Sequence, residues 1–172
     1  MNYKSQLAKT SVFIFDVDGV FTDNVVYLLS DGEQMRTANV RDGYALQHAV
    51  KSGFRIAIIS GGKNEAVRAR FEKLGVTEVH LGSSNKKIVY ENLQAKWEFS
   101  DEEVCYMGDD IPDLPILKRV GLATCPADAV PEVKAVSHYV SDKAGGHGCV
   151  RDVLEQALKL KGHWMNEDSL IW

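Results

Sequence analysis

The chain has 172 residues, 45% hydrophobic and 26% charged, a balance that fits one folded domain and excludes intrinsic disorder. A net charge of −4 argues against a general nucleic-acid binder, which needs a basic surface to displace counterions from phosphates. No apolar run approaches bilayer length, the opening MNYKSQLAKT lacks a signal peptide's apolar stretch, and Cys105, Cys125 and Cys149 fall at scattered spacings, so a reduced cytoplasm is the expected location.

In chain order, the first apolar run is VFIFDV at 12–17, leading directly into DVDGVFTD at 16–23. Between Asn24 and Arg41, two β-prone stretches flank Asp31-Gly32, which is a hairpin signal over about 25–40. A helical segment follows, expected to end at Gly53, and a second to end at Gly75, each glycine standing where a left-handed cap is wanted. That second helix places Val67, Phe71 and Leu74 on one buried stripe. Four more runs, RIAIIS, EVHLG, VCYMG and LATCP, recur between helical segments. Ser100 and Glu103 form a candidate capping box, and Pro112 suits the first turn of the next helix. A last helix from about Val150 to Lys161 carries Val150, Val153, Leu154, Ala157 and Leu158 on one side, and GHWMNEDSLIW after it reads as a loosely attached tail. The alternation predicts an α/β fold, a Rossmann-like parallel sheet with helices on both faces. No linker divides it, so residues 1–172 are expected to be one domain, with a C-terminal segment of about 145–172.

The chemistry concentrates at strand ends. Asp16 and Asp18 follow the first strand, on the edge where ligands bind in open α/β sheets, and Gly19 permits the backbone turn that lets both face one point. GDDIPD at 108–113 follows another strand, so Asp109 and Asp113 project from the same edge and complete a set of oxygen ligands for a hard cation. Between them come Ser60 in IISGG and Lys86 in SSNKK, a hydroxyl and an ammonium suited to a phosphoryl group's oxygens.

Asp-x-Asp, then Ser, then Lys, then Gly-Asp-Asp-x-x-Asp is the motif order of the haloacid dehalogenase superfamily, which residues 12–125 strongly resemble. The resemblance implies that Asp16 is a nucleophile, Asp18 a general acid/base, and Ser60 and Lys86 the phosphate holders. It implies Mg²⁺ on Asp16, the Asp18 carbonyl and Asp109, supported by Asp113 and Asp110. Mg²⁺ there would cancel the repulsion between a carboxylate and a phosphate dianion.

Neither gap between motifs has room for the large cap domain that many members carry, so the site is expected to be open. Two segments are candidates to cover it: the hairpin, and AGGHGCVRDVL near the C-terminus, where Gly145, Gly146 and Gly148 surround His147. DVDGVFTD, the hairpin, RDGYAL, the Ser-Gly pair and the GGHGCVR segment resemble the 3-deoxy-D-manno-octulosonate 8-phosphate phosphatase family over nearly the whole chain. That resemblance implies hydrolysis of a small phosphorylated sugar acid in lipopolysaccharide precursor synthesis. It also implies a homotetramer whose hairpins form a central barrel and whose C-terminal segments help close neighbouring sites. Substrate-binding residues would be Gly61, Gly62, Arg68, Arg70 and His147, with Arg70 preferred for the carboxylate. Gly62 departs from the basic residue often found there, which keeps open a nine-carbon sugar acid 9-phosphate as substrate. A phospho-accepting signalling module is the alternative of a different class, opposed by Asp18, which is placed to assist hydrolysis.

Overall fold

The structure, a computed structural model, describes residues 2–171. Its framework is a six-stranded, all-parallel sheet: β1 (Val12–Phe15), β4 (Arg55–Ile59), β5 (Glu78–His80), β6 (Val104–Met107), β7 (Leu122–Cys125) and β8 (Tyr139–Val140). The order across it is β5-β4-β1-β6-β7-β8, so the first strand in the chain lies between two that come much later. β2 (Tyr27–Leu28) and β3 (Gln34–Met35) form a separate antiparallel hairpin, as Asp31-Gly32 predicts.

The near-continuous apolar sequence of β1 follows from burial on both faces. Phe13 and Phe15 face one hydrophobic cluster, with α2 (Val40–Lys51), α3 (Glu65–Lys73) and α7 (Cys149–Leu160). Val12 and Ile14 face the other, with α4 (Lys86–Trp97), α5 (Leu114–Leu117) and α6 (Pro131–Val136). α7 buries Val150, Val153, Leu154, Ala157 and Leu158, the stripe its spacing predicts. Each large aliphatic side chain buried there contributes roughly 1.5–3 kcal/mol, and Leu154→Ala would cost about 2–5 kcal/mol.

Local signals end the helices where expected. Gly53 and Gly75 both adopt positive φ, +89° and +90°, just past α2 and α3. Ser100 and Glu103 close a capping box at the entry to β6. Asp42 of RDGYAL is wholly buried, and its Oδ1 accepts the Arg151 N–H at 2.7 Å in the first turn of α7, which fastens α2 to the last helix.

Three features differ from expectation. α1 (Tyr3–Lys9) begins the chain, capped by the side chain of Asn2, which accepts the Lys4 N–H; Leu7 enters the core and Tyr3 stacks on Tyr139. β8 adds a sixth strand whose two residues are too few to stand out as an apolar run. The segment after α7 is not loosely attached: the carbonyl of His163 meets His48 Nε2 at 2.7 Å, Tyr44 donates to the carbonyl of Ser169, and Trp164 lies under Arg151. Trp164 and a part-buried backbone acceptor thus offset the polar composition that made this segment read as a tail. Among the described residues no helix is long and apolar enough to cross a membrane, and all three cysteines are buried free thiols.

Candidate active site

Parallel pairing builds the site. Phe15 lies opposite Met107 in the β1–β6 ladder, and the Asp16 N–H continues it by donating to the Met107 carbonyl at 3.0 Å. That register sets Asp16 beside the Gly108-Asp109 turn. The chain then coils back, with the Val20, Phe21 and Thr22 amides all reaching the Val17 carbonyl. Gly19 sits at φ +81°, and a β-carbon there would lie 2.0 Å from Oδ2 of Asp109. Only glycine permits this approach.

Asp113 is fully buried and saturated. It accepts the Tyr106 hydroxyl at 2.6 Å, the Lys86 ammonium at 2.7 Å, and the Asp109 and Asp110 N–H groups at 3.1 and 3.3 Å. Lys86, the first residue of α4, also lies 2.8 Å from Oδ2 of Asp16. Asp109 accepts the Asn24 amide at 3.1 Å. Asp16, Asp109 and Asp113 each offer an oxygen within 4.8 Å of the others.

Three carboxylates thus meet one ammonium in a buried place. Burial, and then repulsion from Asp113, push Asp16 up to about 7 despite Lys86. Burial likewise raises Asp109 to about 6, with Asp113 adding to it against the hydrogen bond from Asn24. Burial alone would lower Lys86, but Asp16 and Asp113 outweigh it and hold the ammonium charged. An all-oxygen donor set with this excess of negative charge fits a hard divalent cation.

Around the cluster opens a cavity of about 320 Å³ lined by Asp18, Asn24, Ser60, Gly61, Gly62 and Ser83, among others. Ser60 follows β4 directly, and its Oγ accepts the Gly62 N–H at 3.1 Å. Ser83 Oγ is buried with no hydrogen-bond partner, a donor aimed at nothing else among the described residues. Asp18 stands on the rim, forked by Arg36: Nε to Oδ1 at 2.6 Å and Nη2 to Oδ2 at 3.1 Å.

Asp110 lines the same cavity but is exposed, and its carboxylate caps Ile111 N at 2.7 Å. Other expected residues lie elsewhere in this chain. Arg68 is occupied by Glu65 and the Val79 carbonyl, at 2.9 and 2.6 Å. Arg70 lines a neighbouring cavity of about 310 Å³ with Phe21, Asn39 and Phe71, behind the hairpin. His147 is exposed on another face, beside Arg41 and Lys143. The glycine-rich segment has partners within its own chain: Gly145 N donates to Asp128 at 2.8 Å, Gly146 N to the Val20 carbonyl at 2.9 Å, and Asn39 to the Gly146 carbonyl at 2.9 Å. It buttresses the 16–23 loop from beneath. The Gly146 amide thus finds its acceptor in that turn, and the Gly145 amide finds its own in the Asp128 carboxylate.

Three contributors escape sequence reasoning: Arg36, Asn24 and Tyr106. Tyr106 alone left a signal, a hydroxyl inside an otherwise apolar strand that needs a buried acceptor. His48, His80 and His138 are structural, bound to the His163 carbonyl, Glu78 and the Ala123 N–H.

Comparison with known proteins agrees with this geometry. The haloacid dehalogenase-like hydrolase family matches residues 77–153. The 3-deoxy-D-manno-octulosonate 8-phosphate phosphatase KdsC of Escherichia coli is 40% identical over 151 residues, covering 88% of this chain and 80% of the relative. The chain belongs to the haloacid dehalogenase-like hydrolase family. Among solved members, the 3-deoxy-D-manno-octulosonate 8-phosphate phosphatase of Yersinia pestis superposes with a TM-score of 0.91 at 35% identity, over 94% of this chain and 87% of that one. The enzyme of that name from Moraxella catarrhalis, solved with magnesium, phosphate and KDO, gives 0.88 at 31% identity over 92% and 91%. As in the expectation for this haloacid dehalogenase-like chain, the region between its motifs holds the short hairpin and no inserted domain.

Proposed function

We propose that the chain is a Mg²⁺-dependent phosphatase that hydrolyses 3-deoxy-D-manno-octulosonate 8-phosphate to the free sugar acid and inorganic phosphate, a cytoplasmic step in lipopolysaccharide precursor synthesis. One observation carries the reading: the buried set of Asp16, Asp109, Asp113 and Lys86 opens into the Ser60 cavity, in a chain 40% identical to a phosphatase of that substrate.

In this mechanism a carboxylate oxygen of Asp16 attacks phosphorus, the bond to the sugar oxygen breaks, and protonated Asp18 delivers its proton to the departing alkoxide. Water then attacks the phosphorylated Asp16 and gives a proton to Asp18, phosphate leaves, and the Asp16 carboxylate is restored. Ser60 and Lys86 donate to the non-bridging oxygens, and the unpartnered Ser83 hydroxyl is placed to assist. Asp16, Asp109 and the carbonyl of Asp18 would hold Mg²⁺, with Asp113 fixed behind them. When bound, the ion supplies the charge that admits a phosphate dianion beside a carboxylate.

The reading extends to a homotetramer. Val25, Tyr27, Leu28, Met35 and Val40 expose their side chains on and beside the hairpin, an apolar face that suits burial against copies of itself. Exposed His147 is then available to a neighbour's site. Mixing Asp16→Asn with His147→Ala subunits after exchange tests this: activity above that of either parent supports shared sites, and none opposes them.

The test of function is phosphate release from a panel containing eight- and nine-carbon sugar acid phosphates and neutral sugar phosphates, with and without chelator. Preference for the eight-carbon acid, lost in chelator and restored by Mg²⁺, is expected. Equal turnover of neutral sugar phosphates would overturn the assignment.

A further inference from the structure

Arg36 is the last strongly placed cation at this site without a role in that mechanism. It follows β3, and its side chain is 10% exposed whereas that of Asp18 is 36% exposed. The fork therefore grips Asp18 from its shielded side and leaves the other side toward the cavity, where water can approach. The grip has its own supports. Gln34 accepts a further bond from Arg36 Nη2 at 3.1 Å, and the Gln34 carbonyl accepts the Asn64 amide at 2.9 Å, tying the hairpin to the start of α3. Gly62 closes the third side, where a β-carbon would touch both Arg36 Nη2 and Asp18 Oδ2 at 3.6 Å.

A two-bond fork fixes the plane of a carboxylate as a single contact cannot. Asp18 otherwise projects from a tight loop with freedom to rotate. Its carboxylate form is the one that must receive the proton of the attacking water in the second half of the reaction.

We propose that Arg36 is a positioning residue for Asp18, acting chiefly in the hydrolysis of phosphorylated Asp16. The inference rests on the assignment of Asp18 as proton carrier. In that step the water oxygen bonds to phosphorus, the bond from Asp16 to phosphorus breaks with its electron pair returning to Asp16, and the water proton passes to Asp18 as Arg36 holds it in line. The hairpin thereby reaches the chemistry through one side chain.

The test uses the full-length chain with Mg²⁺ and 4-nitrophenyl phosphate, whose leaving group departs without a proton. Formation of the phosphorylated Asp16 is then insulated, and only its breakdown reads Asp18. Arg36→Ala is expected to lower steady-state kcat about tenfold to hundredfold, part of the usual worth of general base catalysis, with KM falling alongside so that kcat/KM changes little. A burst of nitrophenol, near one per site, should precede the slow phase. Arg36→Lys, keeping charge without the fork, should fall between. A merely structural role would shrink burst and steady state together, and a substrate-binding role would raise KM at unchanged kcat; either result overturns the proposal. Asp18→Asn run alongside separates the failures: if it slows breakdown and Arg36→Ala does not, only the Arg36 inference falls, whereas normal breakdown in Asp18→Asn removes the mechanism beneath both.

Discussion

The Tyr106 hydroxyl donates to Oδ1 of Asp113 over 2.6 Å, and neither side chain has any solvent exposure. Tyr106 thus helps fix a carboxylate that in turn holds Lys86 and the Asp109 turn. Tyr106→Phe should fold normally, since Asp113 keeps three other donors. It should raise the Mg²⁺ concentration for half-maximal activity about tenfold, within the range usual for partners behind metal ligands. A Mg²⁺ titration of phosphate release checks this, and an unshifted midpoint would count against the support role of Asp113.

Asp16→Asn should abolish turnover, by at least about 10³-fold, because the amide cannot form the phosphorylated intermediate. Its fold should persist, as the substitution preserves size and removes repulsion inside the cluster. Circular dichroism alongside phosphate release makes the measurement. Near-normal release by the folded variant would sink the nucleophile assignment.

The raised acids also make stability depend on pH. In the metal-free chain Asp16 is pushed up to about 7 and Asp109 to about 6, from an ordinary value of 3.8, so the folded state holds more protons than the unfolded chain between those values. Their contribution is complete below about pH 4 and is lost as pH rises through 6 to 7. Without metal, Tm should therefore fall between pH 5 and pH 8. Asp109→Asn should flatten that slope and raise Tm at pH 8 by several degrees, at about 2–4 °C per kcal/mol for a chain of this size. Added Mg²⁺ should stabilise the native sequence at pH 8 far more than the variant. A thermal shift series over pH would record all three, and a flat metal-free profile would contradict the charge imbalance.

Gly145 approaches the Gly19 carbonyl so closely that a β-carbon on it would lie 2.0 Å away. Gly145→Ala must displace the 16–23 loop or its own segment, at a cost of about 1–3 kcal/mol from overpacking against rigid backbone. Denaturant unfolding should show the loss, and kcat should fall with it. Gly148→Ala makes a useful contrast, because a β-carbon there meets nothing and only the φ of +105° opposes it.

Leu28 is 79% exposed at the hairpin. If the hairpin face is the proposed interface, Leu28→Asp should leave the monomer fold untouched and lower the mass of the assembly, read by sedimentation. An unchanged mass would show that this face is not the interface.

Much of this site was legible because strand ends are conspicuous: Asp16, Asp109 and Ser60 each follow an apolar run directly, so their place on one sheet edge follows from the alternation alone. Asp113 and Lys86 were readable from helix entries. Arg36 was not, because its partner Asp18 lies across a hairpin whose two-residue strands carry no periodicity that fixes where a long side chain points. The placement of Arg70 and His147 was equally hidden, since a helix face or glycine loop announces exposure but not which cavity it borders. The C-terminal segment misled for a related reason: its attachment depends on Trp164 and on backbone carbonyls, which composition does not reveal.

The central place of β1 has a consequence for how the protein is made. The strand that leads into Asp16 comes before the other strands of its sheet, yet its partners are residues 55–58 on one side and 104–107 on the other. At elongation rates of about 5–20 residues per second, Asp16 waits several seconds before Met107 exists to receive its amide. Until then the four apolar residues of β1 are an unpaired edge. The 16–23 loop therefore cannot take its final hydrogen bond to β6 until the chain has been made through residue 107.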